Sequence, residues 1–449
     1  MREHVRKTKI ELKAALSALA ALALCACTTV PLDPPPRQPG PIIDRPMPPV
    51  QPQPDAPYPD QTDGPIDGPV IDNPIDVPDD AEPYYNDRQG ITLPHMAGRD
   101  TKRLALLLPF SARSSRLRDE AASMFQAAEL ALFQRPDADI VLTVLDTKGT
   151  PEGARSAAQA ALQQGADVIL GPIIADNVTA ASSIAARRGV PLLAFSNDQS
   201  VADRGRYLVS FPPEAEVDRI VDYAASQGVR DFAYIGPDDA YGRRVRRAYE
   251  LAVQQVGGQV TATETYSGSD ISAMQEPARR LAQAYLARRG SGRSFGAVLM
   301  PETGTALRSL APLLPTYGID PQAVLFMGTS RWDDRASARE PALQGGVFAA
   351  ADKQARAAFG SDFESAYGKA PSSLASLAYD AVQLGAIAAD GDPRGRLRRL
   401  ESPVGFFGTD GYLRFGPDGR PERGLAVYRI DEGQFRVADP APTGPPPET

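Results

Sequence analysis

From residue 101 to about 436, short and almost wholly apolar runs alternate with longer stretches of helical apolar spacing. No other feature of the chain constrains its fold as much. Residues 104–108 (Leu-Ala-Leu-Leu-Leu) stop at Pro109, where the backbone loses a donor, and 121–133 then carries helical periodicity. A second run, 140–145, ends at Asp146, and the Ala-rich stretch 153–162 ends before Gly165. Further apolar runs lie at 168–170, 191–195, 232–235, 260–266, 297–300 and 324–327. Helical stretches fall at 177–187, 241–256, 277–289 and 306–314. Strands that are apolar on both faces belong to parallel sheets covered by helices on both sides, so an α/β fold is expected. The end differs: 411–415, the turn Pro417-Asp418-Gly419 and 426–430 predict a hairpin. About 335 residues exceed a single hydrophobic core. A closed barrel of eight βα units would need neither that hairpin nor the break at Pro212-Pro213, so two doubly wound, Rossmann-like lobes are predicted.

The first hundred residues are of another kind. Residues 31–90 hold 18 of the chain's 43 prolines, and their 12 acidic residues against three basic ones give a balance of −9. Proline fixes φ and lacks an amide donor, so neither helix nor sheet runs through such a segment; extended, solvated polyproline II is the expected state. At about 3.1 Å per residue, the seventy or so residues after Cys27 would reach roughly 200 Å. Before them come Arg2, Arg6, Lys7, Lys9 and Lys13, and then an apolar run from Ala14 that closes on Leu24-Cys25-Ala26-Cys27. A basic region, a short apolar region and small residues before a cut read as an export signal, too short for a comfortable membrane span. The segment resembles a bacterial lipobox. That implies removal of residues 1–26 and lipidation of Cys27, which leaves one cysteine and no internal disulfide. The alternative is an ordinary secretory cut with an incidental cysteine. Thr28 after Cys27, rather than Asp, resembles the arrangement that permits sorting to the outer membrane.

The globular part has no histidine, since the chain's two are His4 and His95. Without Cys or His, neither a nucleophilic triad nor the usual zinc ligand set can be assembled, and no Gly-rich phosphate loop follows a strand. Adjacent acids such as Asp238-Asp239 and Asp333-Asp334 read as turns or caps. No enzyme activity, cofactor or metal is expected, and an exported body with a net charge near −2 is not expected to bind nucleic acid.

Several motifs, taken in order, carry a family resemblance. Leu104-Ala105-Leu106-Leu107-Leu108-Pro109, Asp167-Val168-Ile169-Leu170-Gly171-Pro172, Gly189-Val190-Pro191-Leu192-Leu193, Gly236-Pro237-Asp238-Asp239-Ala240-Tyr241-Gly242 and Phe326-Met327-Gly328-Thr329 resemble landmarks of type I periplasmic binding proteins. The branched-chain amino-acid-binding branch is the nearest. The resemblance implies two lobes joined by three crossovers over 102–436, with a ligand cleft between them. The first lobe would comprise about 102–211 and 352–410, the second about 212–351 and 411–436, followed by a disordered tail at 437–449. By that analogy Asp176 and Asn177 sit where backbone amides at a helix start could hold an anion. Ser196 and Asn197 sit on the next loop, Tyr241 where an aromatic covers a ligand, and Glu302 where an acid could face an ammonium. Arg331 occupies a position where an acid would be sought, and Asp176-Asn177 replaces expected serines. Each has a local reading too: Asp176 and Asn177 as a helix cap, Ser196-Asn197 as a turn. Trp332, the only tryptophan, is either an exposed anchor or a packing residue. The arginines at 243, 244, 246 and 247 form either a solvated face or a docking surface.

Two functions fit. The same fold behind a lipidated cysteine and a disordered tether resembles the outer-membrane lipoproteins that activate penicillin-binding proteins. That implies a cell-wall synthase as partner and a role in peptidoglycan synthesis. The amino-acid-binding branch implies instead a small amino-acid-like ligand and an ABC permease. Fold does not decide between them. The long acidic tether favours the regulator, which needs reach from one membrane to a partner at another.

Overall fold

The computed structural model describes residues 101–135, 139–290 and 294–444. The export signal, Cys27 and the proline-rich segment lie outside the described residues. The chain opens with β1 (Lys102–Leu108), α1 (Ser115–Phe133), β2 (Ile140–Asp146), α2 (Pro151–Gln163), β3 (Val168–Leu170), α3 (Ala175–Ala185), β4 (Leu192–Ala194) and β5 (Arg206–Leu208). These strands form a parallel sheet in the order β2-β1-β3-β4-β5.

Past Pro212 come α4 (Pro213–Ser226), β6 (Asp231–Pro237), α5 (Ala240–Gln255), β7 (Gln259–Tyr266), α6 (Ile271–Arg289), β8 (Ala297–Leu299), α7 (Gly304–Leu310), α8 (Leu313–Thr316), β9 (Leu325–Gly328), α9 (Arg335–Ala338) and β10 (Val347–Ala350). Next, α10 (Lys353–Tyr367), α11 (Ala375–Ala389) and α12 (Arg396–Leu400) return to the first lobe. The chain ends with β11 (Phe406–Gly408), β12 (Gly411–Phe415), β13 (Pro421–Arg423), β14 (Ala426–Asp431) and β15 (Gln434–Asp439). The second sheet runs β15-β14-β10-β9-β8-β6-β7, parallel from β7 to β10 and antiparallel through β14 and β15. The α/β expectation of two Rossmann-like lobes holds.

Side chains alternate across each sheet with period two, and each set finds its own helical layer. Leu104, Leu106 and Leu108 pack with Met124 of α1 and Leu377 and Leu384 of α11. Ala105 and Leu107 face the other way, onto Ala157 and Ala161 of α2 and Val178 of α3. In the second lobe Ala233 and Ile235 meet Met274 and Leu281 of α6, and Phe232 and Tyr234 meet Ile220 of α4 and Tyr249 of α5. Each fully buried Leu, Ile or Phe of these layers contributes about 1.5–3 kcal/mol. Helix starts follow from side-chain caps: Ser114, Thr150, Asp239, Asp270 and Asp352 each accept an amide of the first turn. Asp270 also explains why α6 begins at Ile271 and carries Pro277 inside it, rather than starting at that proline.

The expected hairpin between 411–415 and 426–430 does not form. β12 pairs with β11 and β13 in a small antiparallel sheet, and its Leu413 and Phe415 belong to the first lobe's core. The assignment of 411–436 to the second lobe is therefore corrected: of these strands only β14 and β15 join that sheet. The real hairpin pairs β14 with β15 across Glu432-Gly433, both with positive φ, as the right-handed twist of a two-residue turn requires. Since β15 runs to Asp439, residues 437–439 are strand and not tail.

The chain thus passes between the sheets near Phe211, near Ala351 and near Gly424. Arg423 ties the third passage to the first: its guanidinium lies 4.1 Å from the Phe211 ring centre, and it donates to the carbonyls of Val209 and Ser210.

A candidate ligand cleft between the lobes

Segments beyond the carboxyl ends of the two parallel sheets meet, since Arg244 of α5, after β6, donates to the Asn197 carbonyl after β4; in an open α/β sheet such loops line a crevice. On the second-lobe side the loops after β6, β8 and β9 converge. Trp332 is fully buried, and its Nε1 donates to the Met300 carbonyl at 3.0 Å, which fixes the turn after β9 onto the end of β8. Its ring lies flat on Gly328, where a Cβ would fall 2.2 Å from the indole; only glycine fits there. Trp332 is a packing residue and not an exposed anchor.

That turn presents Thr329, Ser330 and Arg331. The Arg331 guanidinium stacks 4.1 Å above the Tyr241 ring centre and donates to the Pro301 carbonyl at 3.4 Å. Tyr241 Oη lies 3.1 Å from Thr329 Oγ1, and its pKa is pushed up to about 12, first by burial and then by the charge of Glu216. Glu302 is buried: its Oε1 accepts from Tyr266 Oη at 2.9 Å and its Oε2 from the Thr303 amide at 3.2 Å. Burial, then the Glu302 charge, raises the Tyr266 hydroxyl's pKa as well. Thr303 Oγ1 donates to the Arg331 carbonyl at 3.0 Å, so Tyr241, Arg331 and Glu302 belong to one connected wall.

Sequence reasoning missed Glu216. It lies in the first turn of α4, 5% exposed, and accepts from the Ser330 amide at 2.9 Å and the Ser330 hydroxyl at 2.7 Å. Burial raises its carboxyl pKa to about 7 against the pull of the two Ser330 bonds and of Arg331. A signal was available: Glu216, Ile220 and Ala224 recur at i, i+4 and i+8, on the buried face of α4.

On the first-lobe side, neither Asp176 nor Asn177 caps α3; Ile174 holds the cap position and offers no side-chain bond. Asp176 is exposed, whereas Asn177 is 1% exposed and its Oδ1 has no hydrogen-bond partner. Ser196 takes the local role: its Oγ accepts the Asp198 amide at 3.2 Å, and its carbonyl accepts Ser210 Oγ at 2.6 Å. The Asn197 carbonyl accepts Arg244 Nη2 at 2.5 Å, a bond from one lobe to the other. Arg244 also holds Glu214 through two bonds, and Arg243 pairs with Asp238 at 3.2 Å. Half of the basic face of α5 is therefore committed to internal pairs. Of the eight candidate residues, Tyr241, Arg331 and Glu302 come together; Asp176 and Asn177 lie in the first turn of α3 and Ser196 and Asn197 on the loop after β4, all four in the opposite lobe; Cys27 lies outside the described residues.

The description periplasmic binding protein matches residues 101–434. Among curated proteins, none matches the chain. A branched-chain amino acid ABC transporter protein from Rhodospirillum rubrum is 20% identical, with a TM-score of 0.64 over 75% of this chain and 99% of that one. An ABC transporter substrate-binding protein from Sphaerobacter thermophilus is also 20% identical, with a TM-score of 0.59 over 76% and 98% of the two chains. The branched-chain amino acid transporter substrate-binding protein LivJ from Streptococcus pneumoniae, solved with isoleucine, is 18% identical, with a TM-score of 0.52 over 77% and 100%.

Proposed function

The chain belongs to the periplasmic binding protein family, and from that premise we propose that it binds a small amino-acid-like solute between its lobes as the substrate-binding partner of an ABC permease. The observation that carries this reading is the second-lobe wall, where a guanidinium stacked on Tyr241 stands beside hydroxyls and two buried carboxylates. Arg331 suits a carboxylate, by the paired geometry guanidinium offers, and Glu302 or Glu216 an ammonium. Across the cleft, the uncapped start of α3 with Asn177 suits an anionic group. Proteins of this fold from Rhodospirillum rubrum and Streptococcus pneumoniae serve branched-chain amino acid transporters, which puts this reading ahead of the one the tether favoured. Calorimetric titration with a panel of amino acids tests it. One of them should bind saturably, and Tyr241→Ala, Arg331→Ala and Glu302→Ala should each weaken it by about tenfold or more, the size of a lost charge-assisted contact. No binding across the panel would refute it.

One observation favours a second reading. Residues 31–90, proline-rich and acidic, follow a lipobox-like segment ending at Cys27, which suits an outer-membrane lipoprotein that reaches a penicillin-binding protein and regulates peptidoglycan synthesis. A carrier gains little from such reach. Shortening 31–90 to about twenty residues, a span of roughly 60–80 Å, should then abolish activity in cells, and an unrelated Pro/Asp-rich segment of the original length should restore it. Full activity with the short segment would refute this reading and leave the first.

A further inference from the structure

Away from the cleft, on the outside of the first lobe, α10, α11 and β11 border a cavity of about 440 Å³. Aromatic and aliphatic side chains form one part of its wall, among them Phe359, Tyr379, Phe406 and Phe407, with Phe359 set edge-on to Tyr379 at 5.3 Å; Gln383 and Thr409 add polar groups. Phe407 is 63% exposed at its mouth. One buried carboxylate stands among these rings. Asp380, on α11, is 4% exposed and lines the same cavity.

The position of that carboxylate is built and not incidental. The Thr409 amide donates to its Oδ1 at 2.9 Å, and its Oδ2 lies so close to Gly408 that a Cβ there would fall 2.4 Å away. β11 can settle on the carboxylate only because residue 408 is glycine. Neither cation nearby bonds to it. Arg356 pairs with Asp410, and Arg423, whose charge acts on Asp380 without a hydrogen bond to it, donates to the carbonyls of Val209 and Ser210 while lying over Phe211. Burial, and then the charge of Asp410, raises the Asp380 pKa to about 6, so at neutral pH an ionised carboxylate faces an aromatic cavity. Arg135 and Asp362 also line the cavity and balance one another in charge.

The geometry points to a second ligand site here, for a small organic cation: one ammonium or guanidinium group on an aromatic or aliphatic body. The volume lies in the range of small-molecule sites, which are apolar with a few convergent polar groups. A buried carboxylate gains most from a partner that brings both charge and donors, and the rings around it accept a cation's body and its charge. This site shares no residue with the cleft, so it stands or falls independently of the solute-binding reading.

The test is calorimetry on the full chain at pH 7.5 with phenethylammonium and with its neutral isostere, 2-phenylethanol. The cation should saturate one site and bind about tenfold or more tighter than the isostere, as a charge-assisted bond in an apolar site provides. Asp380→Asn should remove that advantage, Phe407→Ala should weaken both probes, and Tyr241→Ala, in the cleft, should change neither. Should Asp380→Asn fail to fold, Ile387→Trp, at a partly exposed position of the same wall, should fill the cavity and abolish binding of both probes. Absence of saturable cation binding, an unchanged affinity in Asp380→Asn or in Ile387→Trp, or a loss in Tyr241→Ala would each overturn the assignment.

Discussion

Replacing Glu216 by Gln should make the second lobe more stable in alkaline solution and change little in acid. The carboxyl's ordinary pKa of 4.5 rises to about 7 in the folded state, because burial outweighs the two Ser330 bonds. The folded protein therefore holds this proton more tightly than the unfolded chain. Its stabilising contribution is full below about pH 4.5 and is lost as the pH rises through 7. A rise of this size corresponds to about 3 kcal/mol between those limits. Glutamine stays neutral throughout, and its amide can still accept from the Ser330 N–H and donate to the Ser330 hydroxyl. Urea unfolding at pH 5 and pH 8.5, followed by fluorescence, measures the effect. Trp332 is the only tryptophan and lies in the second lobe's core two residues from Ser330, so the signal reports the right lobe. Asp218 and Asp380, whose pKa values also rise to about 6, contribute equally to both proteins and cancel in the comparison. The variant's advantage should grow by about 2.5 kcal/mol between the two pH values. An advantage that stays flat, or a variant less stable at pH 8.5, would show that Glu216 is not a neutralised buried acid.

Gly328→Ala should cost about 1–3 kcal/mol or more, since the added methyl enters the Trp332 ring; thermal unfolding and a red shift of tryptophan emission check it. Arg423→Leu should cost about 3 kcal/mol in urea unfolding, because Asp410 and Asp380 then lose the balancing charge of Arg423 and the third passage between the sheets loses its link to the first. Cys27→Ser should release the protein from washed membranes, and mass spectrometry of the unaltered protein should find a diacylglyceryl group on Cys27; identical partitioning of the two would exclude lipidation.

The alternating βα core was legible because each strand is an apolar run bounded by Pro, Gly or Asp, as at Leu108-Pro109 and Leu170-Gly171-Pro172. The C-terminal strands were not. The turn signal at Pro417-Asp418-Gly419 is real, and the Gly419 amide does bond to the Gly416 carbonyl. The strand it leads into, Pro421-Glu422-Arg423, is too short to carry alternation, so the pattern seemed to resume at Ala426. In the cleft, Tyr241 and Arg331 could be found because they flank recognisable strand ends. Glu216 was hidden beside Glu214, since two acids at a helix start satisfy the helix dipole equally well and only one of them turns inward. The fate of Trp332 depended on two glycines, 328 and 346, that no local pattern connects to it.

The chain enters its first lobe at Lys102, at the amino end of β1, and the cleft lies at the opposite, carboxyl ends of the same strands. A pull transmitted through the residues before Thr101 therefore acts along the axis of β1 and not across the gap between the lobes. β1 is an inner strand, matched residue for residue with β2 over all seven of its positions and flanked by β3 on its other side. Loaded lengthwise, such a strand is sheared, with its hydrogen bonds sharing the load, where a strand peeled from an edge would give them up one at a time. Mechanical tension along that strand would load the seven matched positions of β1 and β2 before it reached the passages between the two sheets.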